Sequence, residues 1–257
     1  MRERKNYSIT IANQKGGVGK TTTAINLAAG LAIIGNKTLI IDLDPQANAS
    51  LSFIDIHNEN GNIYDALLDS KAKMTDLIKN TIVKNLYLIP SKLSLAKLES
   101  KLIGEIDAYH RLRTKMKEIE ADFDFIIIDT PPALGLLTAN ALVSADYVLI
   151  PVQASYFALE GTDDLIETIE KVKALTNPSL SIIGVLITLF DKRTTLSKDI
   201  LKHIENVFGP LVFKAKITKS IRLEESPAYK ESIFTFAPKS SGAEEYMQLA
   251  KEVINRV

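Results

Sequence analysis

The sequence predicts an α/β fold: a doubly wound, mostly parallel sheet with helices on both faces. Three observations predict it. Short β-rich runs alternate with helical stretches along the chain. Runs such as Leu39-Ile40-Ile41 are apolar at every position rather than at alternate ones, which suits strands covered on both faces. The first strand also leads directly into a glycine-rich turn, Lys15-Gly16-Gly17-Val18-Gly19-Lys20-Thr21, that opens a helix.

Taken in order, residues 7–12 read as the first strand, with Ile9 and Ile11 on one side. Residues 21–34, rich in Ala, Leu and Ile, read as a helix that Gly35 stops. Residues 38–42 form the next strand and residues 86–90 another short one. Residues 123–129 and 147–152 are apolar almost throughout, and residues 181–189 and 211–217 complete the strands. Helical patterns lie between them at 63–78, 93–103, 109–119, 162–175, 197–208 and 243–257. No repeat, low-complexity tract or linker interrupts the chain, so a single domain over residues 1–257 is the simplest reading.

Composition narrows the function classes. Apolar residues make up 46% and charged residues 24% of the 257, both ordinary for a soluble globular protein with a sizeable core. The absence of cysteine excludes disulfides and thiolate metal sites. His57, His110 and His203 lie far apart and form no ligand spacing. The charged start, Arg2-Glu3-Arg4-Lys5, lacks the apolar core of a signal peptide. No apolar run approaches the ~18 residues of a membrane span. A cytoplasmic protein with no membrane partner is the expectation. The formal net charge is zero, so any attraction to nucleic acid has to come from a local patch.

The glycine-rich turn carries the chemistry. Gly16, Gly17 and Gly19 let the backbone N–H groups of Lys15 to Thr22 turn inward onto phosphate oxygens, with Val18 between them. The helix that follows adds its dipole. Lys20 supplies a point charge for the β- and γ-phosphates, and the Thr21 hydroxyl is placed to ligate Mg²⁺. The pattern G-x-x-x-x-G-K-[ST] is not met in full, because Gln14 stands where its first glycine belongs. A second lysine, Lys15, opens the loop instead. It is not needed to cradle phosphate within one chain, but it can reach a nucleotide across a dimer interface and stabilise charge on a transferring phosphoryl group.

Here the sequence resembles the deviant Walker A group of P-loop NTPases, which contains ParA and MinD. The group's loop pattern K-G-G-x-G-K-T-T is matched by Lys15 to Thr22. The resemblance implies a lysine, here Lys15, that contacts nucleotide across an ATP-sandwich homodimer. It also implies slow, Mg²⁺-dependent ATP hydrolysis. Asp42-Leu43-Asp44-Pro45-Gln46-Ala47-Asn48 looks like the motif D-x-D-P-Q-x-N, which makes Asp44 the residue that orients the attacking water. Ile126-Ile127-Ile128-Asp129-Thr130-Pro131-Pro132 is similar to Walker B, an apolar strand ending in a carboxylate near the Mg²⁺. Phe157-Ala158-Leu159-Glu160-Gly161 is also typical of ParA proteins. The likeness runs from residue 8 to about residue 242 and is closer to ParA/Soj than to MinD.

The alternatives can be separated in part. Iron–sulfur relatives of this group need cysteines, which are lacking. MinD-like proteins end in a basic amphipathic helix for the membrane. Here residues 243–257 carry Glu244, Glu245 and Glu252 against Lys251 and Arg256, and Tyr246, Leu249, Ala250, Val253 and Ile254 fit a helix packed on the core. The first strand begins near residue 7, so the reading has no N-terminal helix-turn-helix domain. An orphan ParA-like ATPase that positions a protein cargo stays open beside DNA partition.

Between Lys192 and Arg222 there are eight cations and two anions, a net charge of +6 in an otherwise acidic remainder. No aromatic interleaving accompanies them, so phosphate contacts fit better than base stacking. Asp191-Lys192-Arg193-Thr194-Thr195-Leu196 looks like the Soj segment D-x-R-T-x-L, and Ile217 to Pro227 looks like I-P-x-N-x-R-L-x-E-A-P. The resemblance implies that Arg193 and Arg222 bind nonspecific duplex DNA, with Lys219 beside them. Thr218 and Ser220 replace the usual Pro and Asn, at positions near the nucleotide base in relatives. The implied partners are a second copy of the chain, double-stranded DNA and a ParB/Spo0J-like activator, and the implied location is the nucleoid.

Overall fold

The computed structural model describes residues 6–155 and 162–257. The Phe157-to-Gly161 segment, read above as typical of ParA proteins, lies outside the described residues. In chain order the elements are β1 (Tyr7–Ile11), α1 (Lys20–Ile34), β2 (Thr38–Asp42), α2 (Asn48–Leu51), α3 (Ile63–Leu68), β3 (Lys79–Asn80), β4 (Leu86–Ile89), α4 (Leu98–Lys101), α5 (Arg111–Met116), β5 (Phe125–Asp129) and α6 (Leu136–Ser144). There follow β6 (Tyr147–Gln153), α7 (Thr162–Leu175), β7 (Ser181–Phe190), α8 (Thr195–Phe208), β8 (Val212–Thr218), α9 (Ile221–Glu225), α10 (Ile233–Phe236) and α11 (Ser241–Arg256).

The strands form one sheet in the order β3-β4-β2-β5-β1-β6-β7-β8. Every pair is parallel except β3 with β4. All five residues of β2 and of β5 are buried, as their unbroken apolar runs require. Leu39, Ile41, Ile126 and Ile128 face a core shared with α3, α5, α6, α7 and α8. Ile9, Ile11, Ile40 and Ile127 face the opposite core, built with α1 and α11. The expected doubly wound sheet is present, with helices on both sides.

The sequence reading missed α6. It is buried at seven of its nine positions, the polar Thr138, Asn140 and Ser144 among them, so its sequence shows no amphipathic period. Three helical readings shrink. Residues 63–78 form only α3, started by a capping box between Asn62 and Asp65 and ended by extended backbone at Asp69, before a 3-10 turn at Met74–Leu77. Residues 93–103 become a 3-10 turn at Leu93–Lys97 running into the four-residue α4, and residues 109–119 contract to α5. Met74, Leu77, Leu95, Leu98, Leu102 and Ile119 are nonetheless buried. Their spacing reflects which residues face the core, and a chain of short turns satisfies it as well as a helix does.

α11 packs on the core as expected, with Tyr246, Leu249, Ala250 and Val253 fully buried. It also covers the outer edge of β8. The Glu252 carboxylate accepts the Lys214 and Ala215 N–H groups at 3.0 to 3.2 Å, and Glu245 accepts the Thr218 N–H at 2.9 Å. An edge strand's open donors are thereby blunted by acidic side chains of a neighbouring helix. Arg256 donates to the carbonyls of Ile183, Leu211 and Val212 and lies 4.0 Å over the Phe213 ring. Gly184 makes room for this packing, since a Cβ there would stand 2.5 Å from Phe213 and 2.6 Å from Arg256. Among the described residues no helix is long and apolar enough to cross a membrane.

Candidate functional site

Three parallel strands end side by side. Register places Ile11 of β1 and Asp42 of β2 on either side of Asp129, the last residue of β5. The loop between β1 and α1 rises over these ends, where an open α/β sheet binds its ligands.

Neighbouring elements hold the loop. Asn13 donates to the Pro151 carbonyl at 2.7 Å and accepts the Lys15 N–H at 2.9 Å. Thr188, near the end of β7, donates to the Val18 carbonyl at 2.9 Å. Gly17 and Gly19 have φ of 75° and 84°. These left-handed conformations turn the intervening N–H groups inward and favour glycine over any residue with a Cβ. Lys20 begins α1, is 6% exposed, and donates its ammonium to the Lys15 carbonyl at 2.7 Å. Burial pulls Lys20 below the usual lysine range, while the Asp129 and Asp44 carboxylates push back.

Two buried carboxylates, Asp129 and Asp44, act on this lysine, and a third, Asp42, stands beside Asp129 in register. Asp129 is fully buried, and neither of its oxygens completes a hydrogen bond within the protein. Burial, and then the Asp42 carboxylate, hold it well above the usual carboxylate range, with Thr21 and Lys20 pulling the other way. Two orphaned oxygens beside the Thr21 side chain fit a cation, which would supply the missing partner. Among the described residues no group of three or more His, Asp or Glu side chains is arranged around a metal. A cation held by Thr21 and Asp129 would therefore draw its other ligands from phosphate and water, as Mg²⁺ commonly does.

Asp44 is 7% exposed and follows the end of β2. It heads a tight turn in which its Oδ1 accepts the Gln46 N–H at 2.9 Å and its carbonyl accepts the Ala47 N–H at 2.8 Å. Lys15, Thr21 and Thr22 are partly exposed on the rim, while Gly16 and Gly17 are open to solvent. The sequence reading passed over Asp42, although it stands in the same motif. It is fully buried, and burial raises it to about 6 against hydrogen bonds from Ser50 and Asp44. Thr188 was missed as well, because nothing in a strand's apolar pattern announces a loop anchor.

The basic segment reaches the same end of the sheet. Arg193 lies in the turn after β7, is 88% exposed, and grips Asp191 through Nε at 3.0 Å and Nη2 at 2.9 Å. Arg222 sits on α9, after β8, and donates to Glu225 at 3.1 Å. Lys219 is exposed in the turn between β8 and α9. Lys198 and Lys202 are exposed on α8, whereas Lys216 is paired with Glu205 at 3.7 Å. The connections that bear the two arginines also wall a small pocket beside Gly19 and Thr22, through Leu189, Thr218, Ser220 and Leu223. Thr218 is pinned there by Glu245, which accepts both its hydroxyl and its N–H at 2.9 Å. Its side chain is thereby spoken for within the fold.

Comparison with known proteins agrees with this geometry. A family described as AAA domain matches residues 6–182. The chain is 44% identical over 246 residues to the sporulation initiation inhibitor protein Soj of Bacillus subtilis, covering 95% of this chain and 97% of the relative. It is 42% identical over 250 residues to the chromosome partitioning protein ParA of Myxococcus xanthus, covering 96% and 88%. Among solved structures it is similar to cobyrinic acid a,c-diamide synthase from Mycobacterium smegmatis with bound ADP and magnesium. The TM-score is 0.86 at 31% identity over 98% of this chain and 95% of that one. A plasmid partition protein from Borrelia burgdorferi superimposes with a TM-score of 0.79 at 29% identity, over 98% of this chain and all of that one.

Proposed function

The chain belongs to the Soj/ParA family of chromosome-partitioning ATPases, and from that premise we propose that it is a DNA-partition ATPase working as a nucleotide-gated dimer on nonspecific DNA. The observation that carries the proposal is the placement of the Lys15–Thr22 loop, the Arg193 turn after β7 and the Arg222-bearing α9 after β8 at one end of one sheet.

Residues 1–257 act in this reading as one ATPase domain. Backbone N–H groups of Gly16 to Thr22 cradle the phosphates, and Lys20 faces the β- and γ-oxygens. Thr21 and Asp129 hold Mg²⁺, which neutralises charge on the phosphates. Asp44 orients the attacking water, and Lys15 reaches the nucleotide of a second copy. Dimerisation brings two basic surfaces together. Doubling the phosphate contacts raises affinity and steepens its salt dependence, because log K falls by about 0.9 per phosphate contacted for each log unit of salt. Hydrolysis, stimulated by a ParB/Spo0J-like partner, then releases the dimer from the nucleoid. The relatives favour a DNA cargo over a membrane or protein one, and the acidic, core-packed α11 argues in the same direction.

A gel shift tests the proposal with Asp44→Ala protein, duplexes of unrelated sequence, and ATP, ADP or no nucleotide. Binding is expected only with ATP, without regard to sequence, and to be lost in Arg222→Ala. No binding in low salt under any nucleotide condition would overturn it.

A further inference from the structure

We propose that Asp42 is a positioning residue for the Asp44 turn, an inference that rests on the hydrolytic role given to Asp44 above. Asp42 is fully buried, and its two oxygens reach opposite ends of the segment that carries Asp44. Oδ1 accepts the Asp44 N–H at 3.0 Å. Oδ2 accepts the Ser50 N–H at 2.9 Å and the Ser50 hydroxyl at 2.7 Å. The Ser50 hydroxyl oxygen in turn accepts the Ser91 N–H at 2.9 Å, which ties the assembly to the strand end of β4. Between the clamped ends lies Ala47 at φ 55°, a left-handed conformation that a residue with a Cβ holds only when its surroundings enforce it.

A buried carboxylate is a costly choice for a purely structural brace, since a neutral acceptor would avoid the desolvation of a charge. A carboxylate differs in offering two acceptor oxygens in one plane and no donor. Three N–H or O–H donors converge on it here, and Asn could satisfy only one side of the set. The clamp fixes the Asp44 backbone relative to β5, whose Asp129 lies opposite Asp42 in register. It thereby sets the distance between the residue that orients water and the residue that holds the cation. The Asp42 carboxylate touches neither phosphate nor water in this role; it acts through Asp44.

The test uses the full chain and compares steady-state ATP turnover with binding of a fluorescent ATP analogue. Asp42→Asn is expected to lower kcat by about 10- to 100-fold, the usual effect of a small misplacement of a reacting group, with nucleotide affinity near wild type. Ser50→Ala keeps the Ser50 N–H bond but removes the hydroxyl's bond to Asp42 and the acceptor of the Ser91 N–H, so a loss of about 3- to 10-fold in the same direction is expected, on the scale of one to two modest hydrogen bonds. Should Asp42→Asn fail to fold, Ser50→Ala carries the test alone. The deciding readout is a cycle with Asp44→Ala. In that background neither substitution should lower the residual rate further, because the group they position is gone. An undiminished loss in the Asp44→Ala background, or wild-type turnover in Ser50→Ala and any folded Asp42→Asn, would overturn the proposal. Normal turnover in Asp44→Ala alone would instead overturn the reading of Asp44.

Discussion

The Lys20 ammonium donates to the Lys15 carbonyl at 2.7 Å, so the two lysines of the loop are joined through backbone rather than through their charges. The buried lysine closes the loop on itself, and the partly exposed one is left at its rim. One sequence motif thus contains two lysines in opposite environments.

Lys20→Ala removes both the loop closure and the charge proposed to face the phosphates. Affinity for a fluorescent ATP analogue is expected to fall by about 10- to 100-fold, the range for a missing charge-assisted hydrogen bond. Unchanged affinity in a titration would remove Lys20 from the nucleotide site.

Asp44→Ala leaves the loop and Asp129 in place. The variant is expected to bind ATP with near wild-type affinity, and its turnover to drop by about 100-fold or more. Phosphate release measured at saturating ATP checks this; normal turnover would exclude Asp44 from the reaction.

Arg193→Ala and Arg222→Ala each take away one exposed cation. Binding to unrelated duplexes should weaken alike for all sequences. The slope of log K against log salt should become shallower by about 1 for each DNA phosphate that is no longer neutralised. Weakening confined to one sequence would point to base reading instead.

Asp191→Asn should act in the opposite direction. Asp191 occupies the Arg193 fork that a DNA phosphate would need. Hydrogen bonds from Arg193 hold the Asp191 carboxyl down to about 2, so it keeps its charge through mild acid and loses the pairing only as the pH falls towards that value. DNA affinity should therefore rise on Asp191→Asn, by several-fold in low salt, with no step between pH 5 and 7 from this carboxylate. The rise should vanish in Arg193→Ala. Persistence there would mean a general charge effect.

Gly35 ends α1 at φ 115°, and a Cβ there would meet nothing within 4 Å. Gly35→Ala therefore costs backbone strain alone, about 1 kcal/mol, or a Tm lower by about 2–4 °C. An unchanged melting curve would show that the turn can relax.

The sequence by itself determined the sheet's class, the phosphate loop and the carboxylates at the strand ends. The apolar runs at 39–41 and 125–128 suit strands buried on both faces, and a turn of Lys15 to Thr21 between strand and helix has one common use. It also showed which residues around 63–119 face the core, although it took short turns there for longer helices. Tertiary structure alone decided the rest. α6 is buried nearly all round, its polar residues included, so its period carries no signal until a sheet is laid against it. Asp42 and Ser50 are eight residues apart, and only the fold of the turn brings them to 2.7 Å. Asp191 and Glu225 look like ordinary surface acids in the sequence, yet each occupies an arginine that the chain's charge pattern would count as available. Periodicity reports burial, which is local to a residue and its neighbours; partnership between polar groups depends on where separate segments end, and that is set by the packing of the whole sheet.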